Sequence, residues 1–501
     1  MEANKSYSRI FRSSSVVAGA QGIGLVIGLL RAKFVAVLLG PTGHALIGIF
    51  QSISGMAGTL TGLGINTSGI RDVAEAAGRQ DEQRIARTVV TLRRLCWLTG
   101  SIGGVALAAF ALPLSHLTFH SADYSIHIAC LGLVVFMGSV AAGQMALIQG
   151  MRRIGDLARL NILNSIFGTA TAIGFYFWLG LAGIIPALLC MSAIALAASF
   201  WFSRRVEVMK LEVSWRESLI LTKGLITLGS AVMLTGLLGG GVDYTTRALI
   251  THEMGLAAVG IFFAAYNISV LFMGIVTNAM GADFYPSLTA LSDDHRKMRD
   301  LVNQQSEMGI LLMLPGLSAI MALAPWIIQV LYTDDFGQSV GLLKWCILGC
   351  ICRAVSWPLS FVMLAKSKAK IFSGVEGFHQ ILRIALIYTG LKLFGLKGVA
   401  IAELTNSAIH TITVNFIARK LIGFRWSRVV WMMIIKAGAL LSLLLLVSFS
   451  LPLVWSSVFG VIVTVCVSLW CLRELCARLE DTHIVVRVVS RLPLSRYLLT
   501  S

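Results

Sequence analysis

Eight Lys or Arg side chains fall inside long apolar runs of the sequence: Arg31, Lys33, Arg247, Lys344, Arg353, Arg383, Lys392 and Lys436. A charge at the centre of a membrane helix costs about 3 kcal/mol on insertion scales, and more on an isolated helix, so each needs compensation. Lys344, Lys392 and Lys436 lie near the ends of their runs, where a long stem can carry the ammonium to the interface. Arg31, Arg247, Arg353 and Arg383 lie deeper. A guanidinium facing a hydrated cavity keeps water and can take an anion, and its planar fork matches two phosphate oxygens better than a compact ammonium does. Lys33 stands about 200° around the helix from Arg31, so the two do not both point squarely into one cavity, and Arg31 is the better placed.

Acidic and amide side chains fall into helical patterns beside these cations. Glu376, His379, Gln380 and Arg383 follow i, i+3, i+4, i+7 spacing, which puts all four on one helix face. The next run repeats the pattern with Glu403, Asn406, Ser407, His410 and Thr411, and a milder stripe carries Asn161, Asn164, Ser165 and Thr169. Such faces line a cavity, or else hold a bundle together by interhelical hydrogen bonds. As cavity walls they make Asn161, Asn164, His379, Gln380 and Asn406 candidates for hydroxyl-rich ligands, and Asp243, Glu376 and Glu403 candidates for gating or for coupling to protons or sodium. Asp243 and Arg247 stand at i and i+4, so a private ion pair is the alternative there. Gly239-Gly240-Gly241, just ahead of them, weakens a helix interior and permits a bend or hinge.

The elements that must position these residues are membrane spans. Of 501 residues, 56% are hydrophobic and only 13% charged, against about 25% charged in a soluble domain. Runs of about 20 apolar residues recur, each enough to cross a hydrocarbon core as a helix. They predict spans near 14–39, 44–66, 95–115, 125–149, 159–179, 183–202, 224–250, 257–282, 305–331, 338–364, 371–393, 397–417, 429–450 and 453–472. That is an all-α polytopic membrane protein of about 14 transmembrane helices. The net charge of +17 is not a nucleic-acid footprint, because 32 of the 41 Lys and Arg residues fall in every second loop, from Lys5 to Arg496, and Lys397 alone in the opposite loops. The bias is the positive-inside pattern and predicts two cytoplasmic termini, with the loop charges set against anionic membrane lipids. The first run is long, interrupted by charge and without a clear small-residue cleavage site, which favours a retained helix over a signal peptide. No Gly-Lys dipeptide occurs, so there is no phosphate-cradling loop; His252-Glu253 lacks the second His of a zinc-protease motif; and the nine cysteines lack metal-knuckle spacing. No cofactor is expected.

The two halves repeat. Gly43-His-Ala-Leu-Ile-Gly-Ile-Phe50 aligns with Gly255-Leu-Ala-Ala-Val-Gly-Ile-Phe262 at an offset of 212, and Gly180-Leu-Ala-Gly-Ile-Ile-Pro-Ala187 with Gly395-Leu-Lys-Gly-Val-Ala-Ile-Ala402 at 215. This divides the chain into a six-helix bundle at 1–210, a second at 211–425, two further helices at 426–472 and a basic tail at 473–501. Repeats of this kind place a path for cargo at their interface. At an offset of 212, Asp243 falls opposite Arg31, which suggests a cross-repeat ion pair that opens when an anion binds.

GPTGHALIGIFQ, its partner MGLAAVGIFFAAYN, the LGLAG and FGLKG turns and the stretch LGINTSGIRDVAEA resemble, along essentially the whole chain, the Wzx-type lipid-linked oligosaccharide flippases, especially O-antigen and enterobacterial-common-antigen translocases. These belong to the multidrug/oligosaccharidyl-lipid/polysaccharide exporter (MOP) superfamily, whose multidrug branch is the MATE transporters. The resemblance implies a V-shaped, twelve-helix, alternating-access core in the bacterial inner membrane. It implies a cargo, undecaprenyl-diphosphate-linked oligosaccharide, moved from the cytoplasmic to the periplasmic leaflet, and functional contact with a polysaccharide polymerase or ligase. Arg31, Lys33, Arg247, Arg353 and Arg383 are then the candidates for the diphosphate. Two rivals are a cation-coupled multidrug antiporter of the same superfamily and a membrane-embedded polymerase or transferase. The surplus of basic over acidic residues inside the spans disfavours the first. The short outer loops and the lack of a nucleophile–base spacing disfavour the second.

Overall fold

A computed structural model describes residues 2–209 and 211–478; most of the expected basic tail lies outside the described residues. Among the described residues the chain forms helices joined by turns. These are α1 (Glu2–Gly62), α2 (Ile65–Gly78), α3 (Glu82–Ala109), α4 (Ala111–Phe119), α5 (Ser125–Gly150), α6 (Ile154–Leu179), α7 (Ile184–Ser203), α8 (Trp215–Met254), α9 (Leu256–Ala290), α10 (His295–Leu331), α11 (Ser339–Ala365), α12 (Ala369–Ile422), α13 (Arg428–Ser450) and α14 (Leu453–Cys476). Nine helical stretches among the described residues are long and apolar enough to cross a membrane, and α3 with α4, bent by 58° at their junction, meet the same criterion when taken together. Three of the nine, Gln21–Gly62, Ile154–Ser203 and Ala369–Ile422, each cover two expected spans. The chain is a multi-pass, all-α membrane protein.

Glycine sets the breaks. Gly40, Gly180, Gly255 and Gly395 have φ of +62°, +57°, +85° and +60° with extended ψ of −166°, −133°, 173° and −143°, a region of backbone space that is essentially glycine's alone. They pair as Gly40 with Gly255 and Gly180 with Gly395, each 215 residues apart. The offset of 212 read from the first motif is therefore a local one, created by Pro41-Thr42-Gly43 on the far side of the turn. Ahead of the turn the register is 215. That register puts Arg31 opposite Thr246 and Asp243 opposite Gly28, which corrects the equivalence of Arg31 and Asp243.

The chain divides into two compact units, Met1–Gly260 with Leu331–Thr333, and Ile261–Val330 with Asp334–Ser501. In the first, Ile49 and Phe50 of α1 pack with Ile128 and Leu131 of α5, Ala172 of α6 and Ala187 of α7. Gly100 and Gly104 let α3 approach α5 closely, since a Cβ at either would press on Ser139 or on the Gly132 carbonyl. At Gly24 a Cβ would meet only Ser165 Oγ at 3.6 Å, and at Gly28 nothing. The stretch 65–78, expected as loop, is helical: Ile65, Val73 and Ala76 are buried against Val89, Leu92 and Leu147, while Arg71 and Arg79 stay exposed.

Helix α8 runs unbroken through Gly239-Gly240-Gly241. The small residues admit α1, whose Met56 Cγ lies 3.4 Å from where a Cβ of Gly240 would sit. In the second unit Phe284 and Leu288 of α9, Met298 and Val302 of α10, Leu359 and Val362 of α11, and Val414 and Ala418 of α12 form a core. The two limbs of α12 fold back on each other at Gly395, where Gly390 and Gly398 meet backbone to backbone with no room for a Cβ on either.

Candidate functional site

The α12 hairpin gathers most of the candidates. Arg383 on its first limb donates from Nε to Glu403 Oε1 on the second at 2.6 Å, and Arg353 of α11 donates from Nη2 to Glu403 Oε2 at 3.1 Å. One carboxylate, 3% exposed, thus bridges two guanidiniums. Arg383 also donates to the Tyr266 hydroxyl of α9 at 2.9 Å, and Arg353 to Ser407 Oγ at 3.2 Å. Further along the same hairpin His379 Nδ1 lies 3.4 Å from Asn406 Oδ1, His410 Nε2 lies 3.3 Å from Glu376 Oε1, and the two imidazoles stand edge to face at 4.8 Å.

These groups border a cavity of about 530 Å³ lined by Arg353, Arg383, Glu376, His379, Gln380 and Asn406, among others. Its size is that of a small-molecule site. His379 Nε2 is buried and has no hydrogen-bond partner among the described residues, a position that water or a ligand hydroxyl would satisfy. The Arg–Glu–Arg group carries one positive charge in surplus. Arg383 is buried, while the Arg353 side chain is 33% exposed and forms part of the cavity wall.

The remaining candidates lie in the first unit. Lys33 donates to the Tyr332 carbonyl at 2.5 Å. Asp243 and Arg247 line a cavity of about 270 Å³ with Gln51, Ser52 and Thr59, and the Arg247 guanidinium lies directly over Gly48, where a side chain would displace it. Arg31 is not among the residues lining that cavity. On α6, Asn161 is exposed and Asn164 half-buried, with its Oδ1 buried and without a hydrogen-bond partner among the described residues. Lys344 corrects the snorkelling expectation: it is 7% exposed, with its ammonium 6.0 Å from the Phe449 ring. Lys392 and Lys436 are exposed, beside Tyr388 and Trp470.

Sequence reasoning missed Tyr266. Its signal was a lone hydroxyl in the apolar stretch IFFAAYN, whose helical phase brings it to Arg383.

A family model described as polysaccharide biosynthesis protein matches residues 34–341. The chain belongs to this family. The turn motifs at 40–51 and 254–267 and the α2 stretch at 63–76 all lie within the matched range. A family relative, the lipid III flippase of Escherichia coli (strain K12), is 23% identical over 412 residues, covering 80% of this chain and 95% of the relative. Among solved structures, the lipid II flippase MurJ in an inward closed conformation superposes with a TM-score of 0.68 at 13% identity, covering 93% of this chain and 99% of that one. An inward-facing multidrug resistance MATE family transporter of the MOP superfamily superposes with a TM-score of 0.64 at 16% identity, covering 80% and 94%. At those identities the likeness establishes the fold, which is the MATE-like helical fold expected from the sequence.

Proposed function

We propose that this protein is a flippase rather than an enzyme. It moves undecaprenyl-diphosphate-linked oligosaccharide from the cytoplasmic to the periplasmic leaflet of the bacterial inner membrane, by alternating access, for O-antigen or related surface polysaccharide. The observation that carries this reading is the Arg353–Glu403–Arg383 group beside an open cavity in a membrane-embedded bundle. The family and the named activity of the lipid III flippase relative support the same class of cargo.

Arg353 takes the diphosphate, supported by Arg383, while Glu403 serves as the counter-ion when the cavity is empty. His379, Gln380 and Asn406 supply hydrogen bonds to sugar hydroxyls, and Glu376, paired with His410, is the group available for proton or sodium coupling. In the first unit Arg31, Lys33 and Arg247 provide further cationic positions, Asp243 a gating carboxylate, and Asn161 and Asn164 further sugar contacts. A polymerase or ligase that consumes the flipped lipid completes the pathway, and both termini of the flippase lie in the cytoplasm.

The test is translocation of a fluorescent undecaprenyl-diphosphate oligosaccharide in proteoliposomes. Wild type is expected to flip it, Arg353→Ala to lose at least about tenfold in rate, the loss typical of a buried charged contact, and Arg353→Lys to recover only part. Transport of a cationic dye with no movement of the lipid would replace the reading by the antiporter.

A further inference from the structure

The first unit contains a chamber of a different kind. It has a volume of about 770 Å³, within the range of small-molecule sites, and lies between the second limb of α1, α3, the bent α4 and Tyr244 of α8. Of its sixteen lining residues only Thr61, Thr99 and Tyr244 bear a polar side-chain atom. The Tyr244 hydroxyl is already engaged with Thr118 Oγ1 at 2.6 Å, and Thr61 Oγ1 donates to the Gly58 carbonyl at 3.3 Å. Walls of this composition offer water few partners, and such a space stays dry or holds hydrocarbon. The 58° break at Phe110 turns α4 away from the axis of α3, and Ile102, Phe110 and Leu117 remain 60%, 63% and 59% exposed along it. The chamber is therefore open along its length.

Its neighbour is the small polar cavity that holds Asp243 and Arg247. Met56 lines both, and on α8 Tyr244 faces the apolar side immediately after Asp243 faces the polar one. A polar cavity lined by a guanidinium and a carboxylate and an apolar chamber thus adjoin within one unit. A ligand that satisfies both has a charged head bonded directly to a hydrocarbon chain.

We propose that this chamber holds the first isoprene units of the polyprenyl chain of the cargo, with the diphosphate toward Arg247. The assignment rests on the flippase reading and adds to it a place for the tail. In this arrangement the tail is carried by the first unit, and chain length beyond the chamber adds nothing to recognition.

Two measurements on the full chain in nanodiscs and proteoliposomes decide the matter. The first uses a polyprenyl-diphosphate oligosaccharide bearing a diazirine on a head-proximal isoprene, and in parallel a phosphatidylethanolamine with a diazirine in its acyl chain. The polyprenyl probe is expected to label residues 53–63 and 102–117, with competition by unlabelled polyprenyl diphosphate and none by excess phospholipid. The second uses Ala106→Trp, which fills the chamber from an exposed position, and Leu117→Trp on α4 as an independent obstruction. Each variant that passes a thermal-stability check is expected to lower labelling and flipping by about tenfold, as for a blocked apolar pocket.

Equal labelling of the chamber by the phospholipid probe, without competition by polyprenyl diphosphate, identifies it as a seat for bulk lipid and overturns the proposal. So does normal flipping in both variants. If wild type flips nothing, the flippase reading fails on that result, while the labelling experiment, which needs no transport, still decides what the chamber binds.

Discussion

Glu403 has the most demanding position among the charged side chains. It is nearly inaccessible and accepts from two guanidiniums, one of them also buried. Removing one member of a buried ionic group leaves the rest uncompensated, which costs several kcal/mol, whereas replacing the group by apolar residues is often tolerated. Glu403→Gln is accordingly expected to destabilise the protein by about 3 kcal/mol, the lower end for a buried pair because Arg353 is partly solvated. Adding Arg353→Met should recover part of that loss, and a double-mutant cycle followed by thermal unfolding in detergent measures the coupling. An unchanged melting temperature in Glu403→Gln would mean that the carboxylate does not hold the two cations. The polar stripe at 376–383 was legible because helical periodicity fixes which side chains share a face. The meeting of Arg353 with Glu403 was not, because no spacing within one helix says which face of another it meets. Lys344 shows the same limit: its position near a span end suggested the interface, yet packing against α13 buries it beside Phe449.

At the scale of elements, the turn glycines matter most. A residue with a Cβ at Gly40 or Gly395 would sit in a backbone region that costs about 1–3 kcal/mol, even though nothing crowds the space at Gly40. Gly40→Ala and Gly395→Ala should therefore each lower the unfolding free energy by that amount. Gly374→Ala, in a helix with open space beside it, should raise it by roughly 0.5–1 kcal/mol. Equal melting temperatures across the three variants would dismiss the account. Apolar runs announced the spans and short motifs announced the turns, but the motif alignment slid by three residues at the first turn because it matched Gly43 rather than Gly40 to Gly255. Residue identity alone does not say which of two nearby glycines bears the positive φ. Helix α2 escaped notice for another reason: at 14 residues, with a polar face carrying Arg71, it is too short and too charged to read as a span, and only its buried stripe at Ile65, Val73 and Ala76 marks it as structure.

For the whole molecule, the asymmetry of Lys and Arg between alternate loops was open to inspection, and it makes a prediction about topology. An alkaline-phosphatase reporter, active only in the periplasm, is expected to be active when fused at Lys397 and inactive when fused at Arg205 or Arg425. The reverse pattern would invert the chain in the membrane and with it the direction of transport. Composition also revealed a surplus of cations inside the spans. Which cations share a cavity followed only from the folding of α12 back on itself. That hairpin bears on biosynthesis. Arg383 and Glu403 reach the bilayer on consecutive limbs joined by a tight glycine turn, and a lone charge at a helix centre resists leaving the translocon. Once the hairpin closes, each charge has its opposite at hydrogen-bond distance, and Arg353, synthesised before either, awaits the same carboxylate. The group proposed to receive an anion in the mature protein thus also lets its three charged side chains enter the membrane during synthesis.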